Sequence, residues 1–454
     1  MKKAALFLFL FSLTLLAKAD PARLLENNKD AFQVRADIIA RAQHYITAEY
    51  YSVGSDQIAL STLALLRDAA RRGVDVRLLV DAVSHRMSPA IMSVLKEEPH
   101  FHIKVFNAPG ILNPNNWLRR LHDKAICVDT EVCVMGGRNI TNSYFMRKNR
   151  QVDYTDLDIV FGGNAVIMAQ NYFYQIWNGP SATEPVLRLY EPSEIGAPCT
   201  PSESDECIRS RDRIEREITQ ARSDLLIRSE KTHYFQNFIM PNPQNDWLAD
   251  SELGTSITFL SDPIEAEKSE DGISADIFKI ITENAKKSVL VISPYVVLSD
   301  RALGMFTQLR KNNIRVQIVT NSLNSTDHSS SQAMYQSSKK ALIDIGAEIY
   351  EYKGPDTLHA KGVVVDREII IVGSYNFDIL SDRKNREIAI TTKNPFLAVE
   401  MMSIIERFQQ NSYKIGKDYN PINNDGNYQK VPPMKELTFK FSHLLNPFIE
   451  AMKR

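Results

Sequence analysis

Five polar residues occur twice in this chain at one fixed spacing: His122, Lys124, Asp129, Gly136 and Asn139, then His359, Lys361, Asp366, Gly373 and Asn376. His122 and His359 are 237 residues apart. A five-point match in so short a window arises by chance on the order of once in a few million starting points, and here there are two copies. On a strand, a histidine and a lysine two residues apart point to the same face. A turn at Asp129 or Asp366 brings the second strand back, so that the asparagine converges on that face. The small residues before it, Gly136, Gly137, Gly373 and Ser374, are expected to let a substrate oxygen approach the backbone closely. Each copy then offers an imidazole, an ammonium and a carboxamide, and two facing copies surround one tetrahedral phosphate.

Lys124, Lys361, Asn139 and Asn376 suit the non-bridging oxygens of a phosphodiester, binding them more tightly as charge develops. One neutral imidazole can attack phosphorus while the other, protonated, donates to the leaving oxygen. Each imidazole needs its far nitrogen held by an acceptor. Glu387 and Asp158, each at the start of the next apolar run, are the candidates. Asp129 and Asp366 read as structural residues that tie the turn. The residues alone leave open which histidine is the nucleophile.

The scaffold repeats with the motif. ITAEYY, VRLLVD, IKVFN, AICVD and VCVMGG in the first half answer to VLVISPY, VQIVTN, EIYEY, GVVVD and EIIIVGS in the second. Amphipathic segments such as IALSTLALLRDAARRG and RALGMFTQLRKNN lie between them and end near Gly or Asn. This predicts an α/β sandwich built twice, as two pseudo-symmetric lobes with helices over a parallel or mixed sheet and the active site between them. The expected lobes are residues 20–195 and 196–425, with a linker at about 194–207 and a tail at 426–454. The tail's FKFSHLLNPFIEAMKR fits either a membrane surface or a core.

Residues 1–19 read as a signal peptide. A short basic start precedes 14 apolar or small residues, and Ala17-Lys18-Ala19 fits a cleavage site. That run is shorter than the roughly 20 residues of a spanning helix. The chain is therefore expected to be exported, periplasmic or secreted, and able to associate with a membrane. Of four cysteines, Cys199 and Cys207 could close a small disulfide loop, while Cys127 and Cys133 read as buried thiols. None has metal-ligand spacing with a histidine, and neither a metal nor another cofactor is expected.

The doubled H-x-K-x4-D-x6-G-[GS]-x-N pattern resembles the phospholipase D superfamily, over nearly the whole mature chain. Stretches such as LRRLHDKAICVD and SYNFDILSDRKNREIAI resemble its bacterial cardiolipin synthase branch, the class C members in particular. The resemblance implies metal-free phosphatidyl transfer through a phosphohistidine, with Glu387 orienting His359, His122 as nucleophile and His359 as acid. Asp158 stands where a symmetrical site would have Glu.

A phospholipid at a membrane surface is the expected partner, and the basic Arg119-Arg120 could meet its headgroup. The alternative is an exported nuclease. A formal net charge of -1 and a pI of about 6.8 argue against a protein that grips nucleic acid, and none is expected to be obligatory. A degenerate binding scaffold would have lost part of one motif, and both are intact. The duplication makes a monomeric active site sufficient and leaves the oligomeric state open.

Overall fold

The computed structural model describes residues 20–108, 119–146, 153–187, 205–230, 240–249, 251, 256–264, 272–422, 428 and 433–444. Residues 1–19, read as a signal peptide, the expected linker up to residue 204 and the expected pairing of Cys199 with Cys207 fall outside what is described.

The first lobe contains β1 (Ala22–Leu25), β2 (Tyr45–Tyr50), β3 (Asp75–Asp81), β4 (Phe101–Phe106), β5 (Lys124–Val128), β6 (Val132–Gly136), β7 (Tyr154–Thr155), β8 (Asp158–Phe161) and β9 (Ala182–Thr183). All but β7 form one sheet in the order β1-β8-β6-β5-β2-β3-β4-β9. The second lobe contains β10 (Ile257–Ser261), β11 (Ser288–Ile292), β12 (Val296–Val297), β13 (Arg315–Asn321), β14 (Glu348–Tyr352), β15 (Thr357–Leu358), β16 (Gly362–Val365), β17 (Ile369–Gly373), β18 (Phe377–Asp378), β19 (Ile388–Lys393) and β20 (Ser412–Lys414). Its sheet runs β10-β19-β17-β16-β11-β13-β14-β20, the same order. Parallel and antiparallel pairings also coincide, so both sheets are mixed.

Strand alternation divides the core into three. In β5, Ile126 and Val128 face the first lobe's outer helices, whereas Ala125 and Cys127 join a central cluster. In β16, Val363 and Val365 face outward and Val364 inward. The central cluster draws on both sheets and on two helices, Asn164–Asn178 and Pro395–Gln410. The lobes therefore share a hydrophobic core.

The expected boundary near residue 195 is corrected. The helix Asp205–Glu230 buries Ile214, Ile218, Ala221 and Leu225, spaced along one face, in the first lobe's outer core. Arg67 donates to the Leu225 carbonyl at 3.2 Å. Further on, the Asp37 carboxylate accepts from the Asn242 N–H (2.7 Å), the Asn245 amide (3.0 Å) and the Trp247 indole (2.9 Å). Residues 205–230 and 240–249 thus belong spatially to the first lobe. The helix Pro433–Leu444 packs on Ser329–Asp344 in the second, and Lys435 donates to the Asn324 and Thr326 carbonyls.

Cys127 and Cys133, read as thiols, are disulfide-bonded, with Cα atoms 4.1 Å apart. They sit opposite one another in the β5–β6 ladder, where the second lobe pairs Val364 with Ile370.

Candidate active site

Asp129 and Asp366 build the turn that aims each motif. Both adopt positive φ, 48° and 50°. The Asp129 carboxylate accepts from the N–H groups of Gln43, His44 and Tyr45 at 2.9–3.1 Å. Asp366 does the same with Lys286, Lys287 and Ser288 at 2.7–2.8 Å. These carboxylates lock the start of β2 and β11 to the hairpin and take no part in the chemistry.

Between the lobes the chains cross-pair. Leu121 bridges to Arg386, and the His122 N–H donates to the Arg386 carbonyl at 2.9 Å. Symmetrically, β15 pairs with β7, and the His359 N–H donates to the Thr155 carbonyl at 2.8 Å. The residue after each acceptor is a carboxylate. Glu387 Oε2 lies 2.9 Å from His122 Nδ1, and Asp156 Oδ2 lies 2.6 Å from His359 Nδ1. Each histidine is therefore held by the opposite lobe. With the Nδ1 proton on the carboxylate side, each Nε2 is the ring nitrogen turned away from that carboxylate.

Two expectations are corrected. Glu387 orients His122, not His359. Asp158 is not in the site: it is fully buried and paired with Arg35 at 2.9 Å and Arg138 at 3.2 Å. The matching residue is Asp156, because Gly136 sits opposite Asp158 in the ladder as Gly373 sits opposite Ala389. Asp156 was missed because it falls 34 residues after His122, against 28 between His359 and Glu387. Arg138 reaches the Asp156 carbonyl at 2.7 Å and so helps to set that residue.

Gly136 and Gly137 make room for the aspartates opposite them, and Gly373 for the backbone of β19. A Cβ on Gly136 would meet Asp158 Oδ1 at 2.2 Å, one on Gly137 would meet Asp156 Oδ1 at 2.1 Å, and one on Gly373 would meet the Ile388 carbonyl at 2.2 Å. Ser374, opposite in the repeat to Gly137, donates its hydroxyl to Glu387 at 2.5 Å.

Lys124 and Lys361 are both buried, and each donates to the carbonyl of its own motif histidine. Lys361 Nζ also lies 3.2 Å from His359 Nε2. Burial, only partly offset by Glu387, pushes Lys124 down to about 7, with Lys361 adding to the drop. Burial pushes Lys361 down to about 8, against the pull of Asp156. His122 is lowered by burial, with Glu387 opposing, and His359 is lowered further by burial and by Lys361. Both imidazoles are thus neutral in the unliganded site. Asn139 accepts from the Ser52 N–H at 3.1 Å and donates to the Tyr144 hydroxyl at 3.1 Å. Asn376 Oδ1 is buried with no partner among the described residues.

Aromatic residues wall the site. Tyr51 meets His122 edge-on at 5.1 Å, and Tyr144 and Tyr154 each meet His359 at 5.2 Å. Asp327 accepts from the hydroxyls of Tyr154 (3.0 Å) and Tyr295 (2.7 Å), fixing both rings. Nothing in the repeat marked Asp327, which has no role in the motif. Among the described residues, no group of three or more His, Cys, Asp or Glu could hold a metal ion, and no helix is long and apolar enough to cross a membrane.

A duplicated lobe with its His, Lys and Asn facing across a shared core defines a phosphodiester-processing enzyme of the phospholipase D type. The comparisons agree. The family model described as cardiolipin synthase, PLD-like domain, matches residues 36–177 and 279–410, and the chain belongs to this family. Cardiolipin synthase C of Escherichia coli (strain K12) is 26% identical over 422 residues, spanning 86% of this chain and 84% of the relative. A cardiolipin synthase of Geobacillus thermodenitrificans (strain NG80-2) is 25% identical over 379 residues, 82% of this chain and 62% of the relative. Among solved structures, the phosphatidylserine synthase of Haemophilus influenzae Rd KW20 shares the fold at a TM-score of 0.63. It is 14% identical and aligned over 95% of this chain and 94% of that one.

Proposed function

We propose that this enzyme transfers the phosphatidyl group of a phospholipid, at a membrane surface, to water or to a lipid hydroxyl through a phosphohistidine and without a metal. The observation that carries the reading is the exchanged pair, His122 with Glu387 and His359 with Asp156, beside two buried lysines. His122 Nε2 attacks phosphorus and the bond to the headgroup oxygen breaks. His359 gives that oxygen its proton, having taken it up when the substrate's anionic charge offset that of Lys361. An acceptor hydroxyl then attacks phosphorus, the P–N bond breaks, and the hydroxyl proton passes to His359. Lys124 and Lys361 neutralise the non-bridging oxygens. The similarity to synthases that bear lipid names supports a lipid substrate over a nucleic acid. Export into an oxidising compartment is part of the proposal, supported by the N-terminal pattern and the Cys127–Cys133 disulfide.

The test is to incubate the purified protein, beside a His122→Ala control, with phosphatidylglycerol and phosphatidylethanolamine vesicles in chelator, and to resolve the products by mass. Cardiolipin that depends on His122 establishes transfer, and phosphatidic acid alone makes the enzyme a hydrolase. If neither forms while single-stranded DNA is cut only by the wild type, the lipid reading falls.

A further inference from the structure

The chemistry is duplicated, but the loops behind it are held differently. Residues 82–88 follow β3 and residues 322–328 follow β13, and each loop runs into a helix, Pro89–Lys96 or Ser329–Asp344. Met87 and Asp327 hold the same place, two residues before the helix begins. Of these two loops, the second alone carries a carboxylate. A helix from later in the chain packs behind each, Asp205–Glu230 on Pro89–Lys96 and Pro433–Leu444 on Ser329–Asp344. The first meets its neighbours through Arg222, paired with Glu97 at 2.7 Å, and through the Leu225 carbonyl, which accepts from Arg67. Among the described residues, none of its side chains bonds to residues 82–88. The second helix reaches its loop directly. Lys435 Nζ donates to the Asn324 carbonyl at 2.9 Å and to the Thr326 carbonyl at 2.6 Å.

The next residue, Asp327, accepts from the hydroxyls of Tyr295 at 2.7 Å and Tyr154 at 3.0 Å, one from each lobe. Tyr154 stacks on Tyr144 at 4.4 Å, and both rings meet His359 edge-on. The Tyr144 hydroxyl lies 3.5 Å from His359 Nε2 and accepts from the Asn139 amide at 3.1 Å. Burial would raise Asp327, but His328 and the two hydroxyls outweigh it and hold the carboxyl below its usual range. Burial and Lys361 lower His359, and Asp327 opposes both. Lys435 is itself lowered by burial, against the pull of Asp327.

We infer that Lys435 and Asp327 are positioning residues for His359, so that the C-terminal helix supports the active site from behind the loop. An ammonium bonded to the carbonyls of residues 324 and 326 fixes the backbone that aims the next side chain. Without it that backbone is freed, and the tyrosines follow the carboxylate that holds them. A shift of about 1 Å near reacting groups costs about 10²-fold in rate, which gives a distant support its leverage. The first lobe holds its loop by other means, so the support belongs to one histidine and not to both. Its purpose, a His359 kept ready to protonate the leaving oxygen, rests on the proposed function.

The test follows the imidazole signals of His359 and His122 by NMR in the full chain with isotope-labelled histidine, assigned through His359→Gln and His122→Gln. Lys435→Met and Asp327→Asn are each expected to move the His359 signals and to leave those of His122 in place. Lys440→Met, which breaks an exposed pair with Glu436 on the same helix, should move neither. In phospholipid turnover, Lys435→Met should lower kcat about tenfold or more while KM stays within about twofold. Joined to Asp327→Asn, it should add little to the loss that Asp327→Asn causes alone. His359 signals unmoved by Lys435→Met, equal movement of both histidines, or the same response to Lys440→Met overturns the inference. So does a rise in KM at unchanged kcat, or a fully additive loss in the double variant. A wild type that turns over no phospholipid sinks the proposed function, and the imidazole signals still decide this inference.

Discussion

The two lobes share strand order, turn carboxylates, His, Lys and Asn, yet they surround their histidines differently. The His122 side chain is 12% exposed and, among the described residues, meets the ring of Tyr51, with Glu387 at its back. The His359 side chain is 7% exposed and meets Tyr144, Tyr154 and Tyr295, two of them fixed by Asp327. Lys361 stands closer to its ring, and its proton affinity is lowered further. Duplication supplies two equal side chains, and their surroundings make them unequal. In the proposed mechanism the more enclosed ring receives a proton when an anion arrives, and the more open one attacks.

Replacing the histidines tests that division most severely. His122→Ala and His359→Ala should each lower lipid turnover by about 10⁴-fold or more. With an activated ester whose leaving group needs no proton, His359→Ala should still form an acid-labile phosphoenzyme and His122→Ala should not. The opposite pattern exchanges the two roles. The carboxylates come next. Glu387→Gln and Asp156→Asn should lower kcat by about 10²–10⁴-fold while the protein stays folded. Asp158→Asn should instead cost about 3–5 kcal/mol of stability, read as a fall in Tm, because two arginines lose a buried partner.

The lysines make activity and stability move in opposite directions with pH. Lys124 at about 7 and Lys361 at about 8 lose their protons well before unfolded lysines, at about 10.5. Over that window the unfolded chain binds more protons, so this part of the stability rises with pH, and the cost of the buried charges is fully present below about 7. Transfer needs the charges, so kcat/KM should fall as pH passes about 7–8. A rate that is flat to pH 9 contradicts this. Lys124→Arg should move the alkaline limb upward. The mildest test compares the turns. Asp129→Ala and Asp366→Ala should each cost about 1–3 kcal/mol, similarly in both lobes, with little change in kcat for the folded fraction.

The periodicity of both halves and the two motifs were legible because they are local: strand alternation and fixed spacing survive without tertiary information. Asp156 was not, because the segment between His122 and its strand is longer than its counterpart, and ladder register rather than residue count decides which carboxylate faces in. The exchange of Glu387 and Asp156 between lobes is a tertiary fact that no spacing encodes. The amphipathic face of Asp205–Glu230 says that it packs, not on which lobe. The disulfide did leave a trace. Cys127 and Cys133 flank a turn at Asp129 at a separation that puts them opposite each other, but their apolar neighbours argued for thiols.

The exchange of carboxylates also bears on how the enzyme is made. Glu387 follows the histidine it orients by 265 residues. During synthesis the first histidine is finished early and stays unoriented until most of the chain has been translated. A truncated product carries a motif but lacks the carboxylate that orients its histidine, so completion of the site waits on completion of the chain.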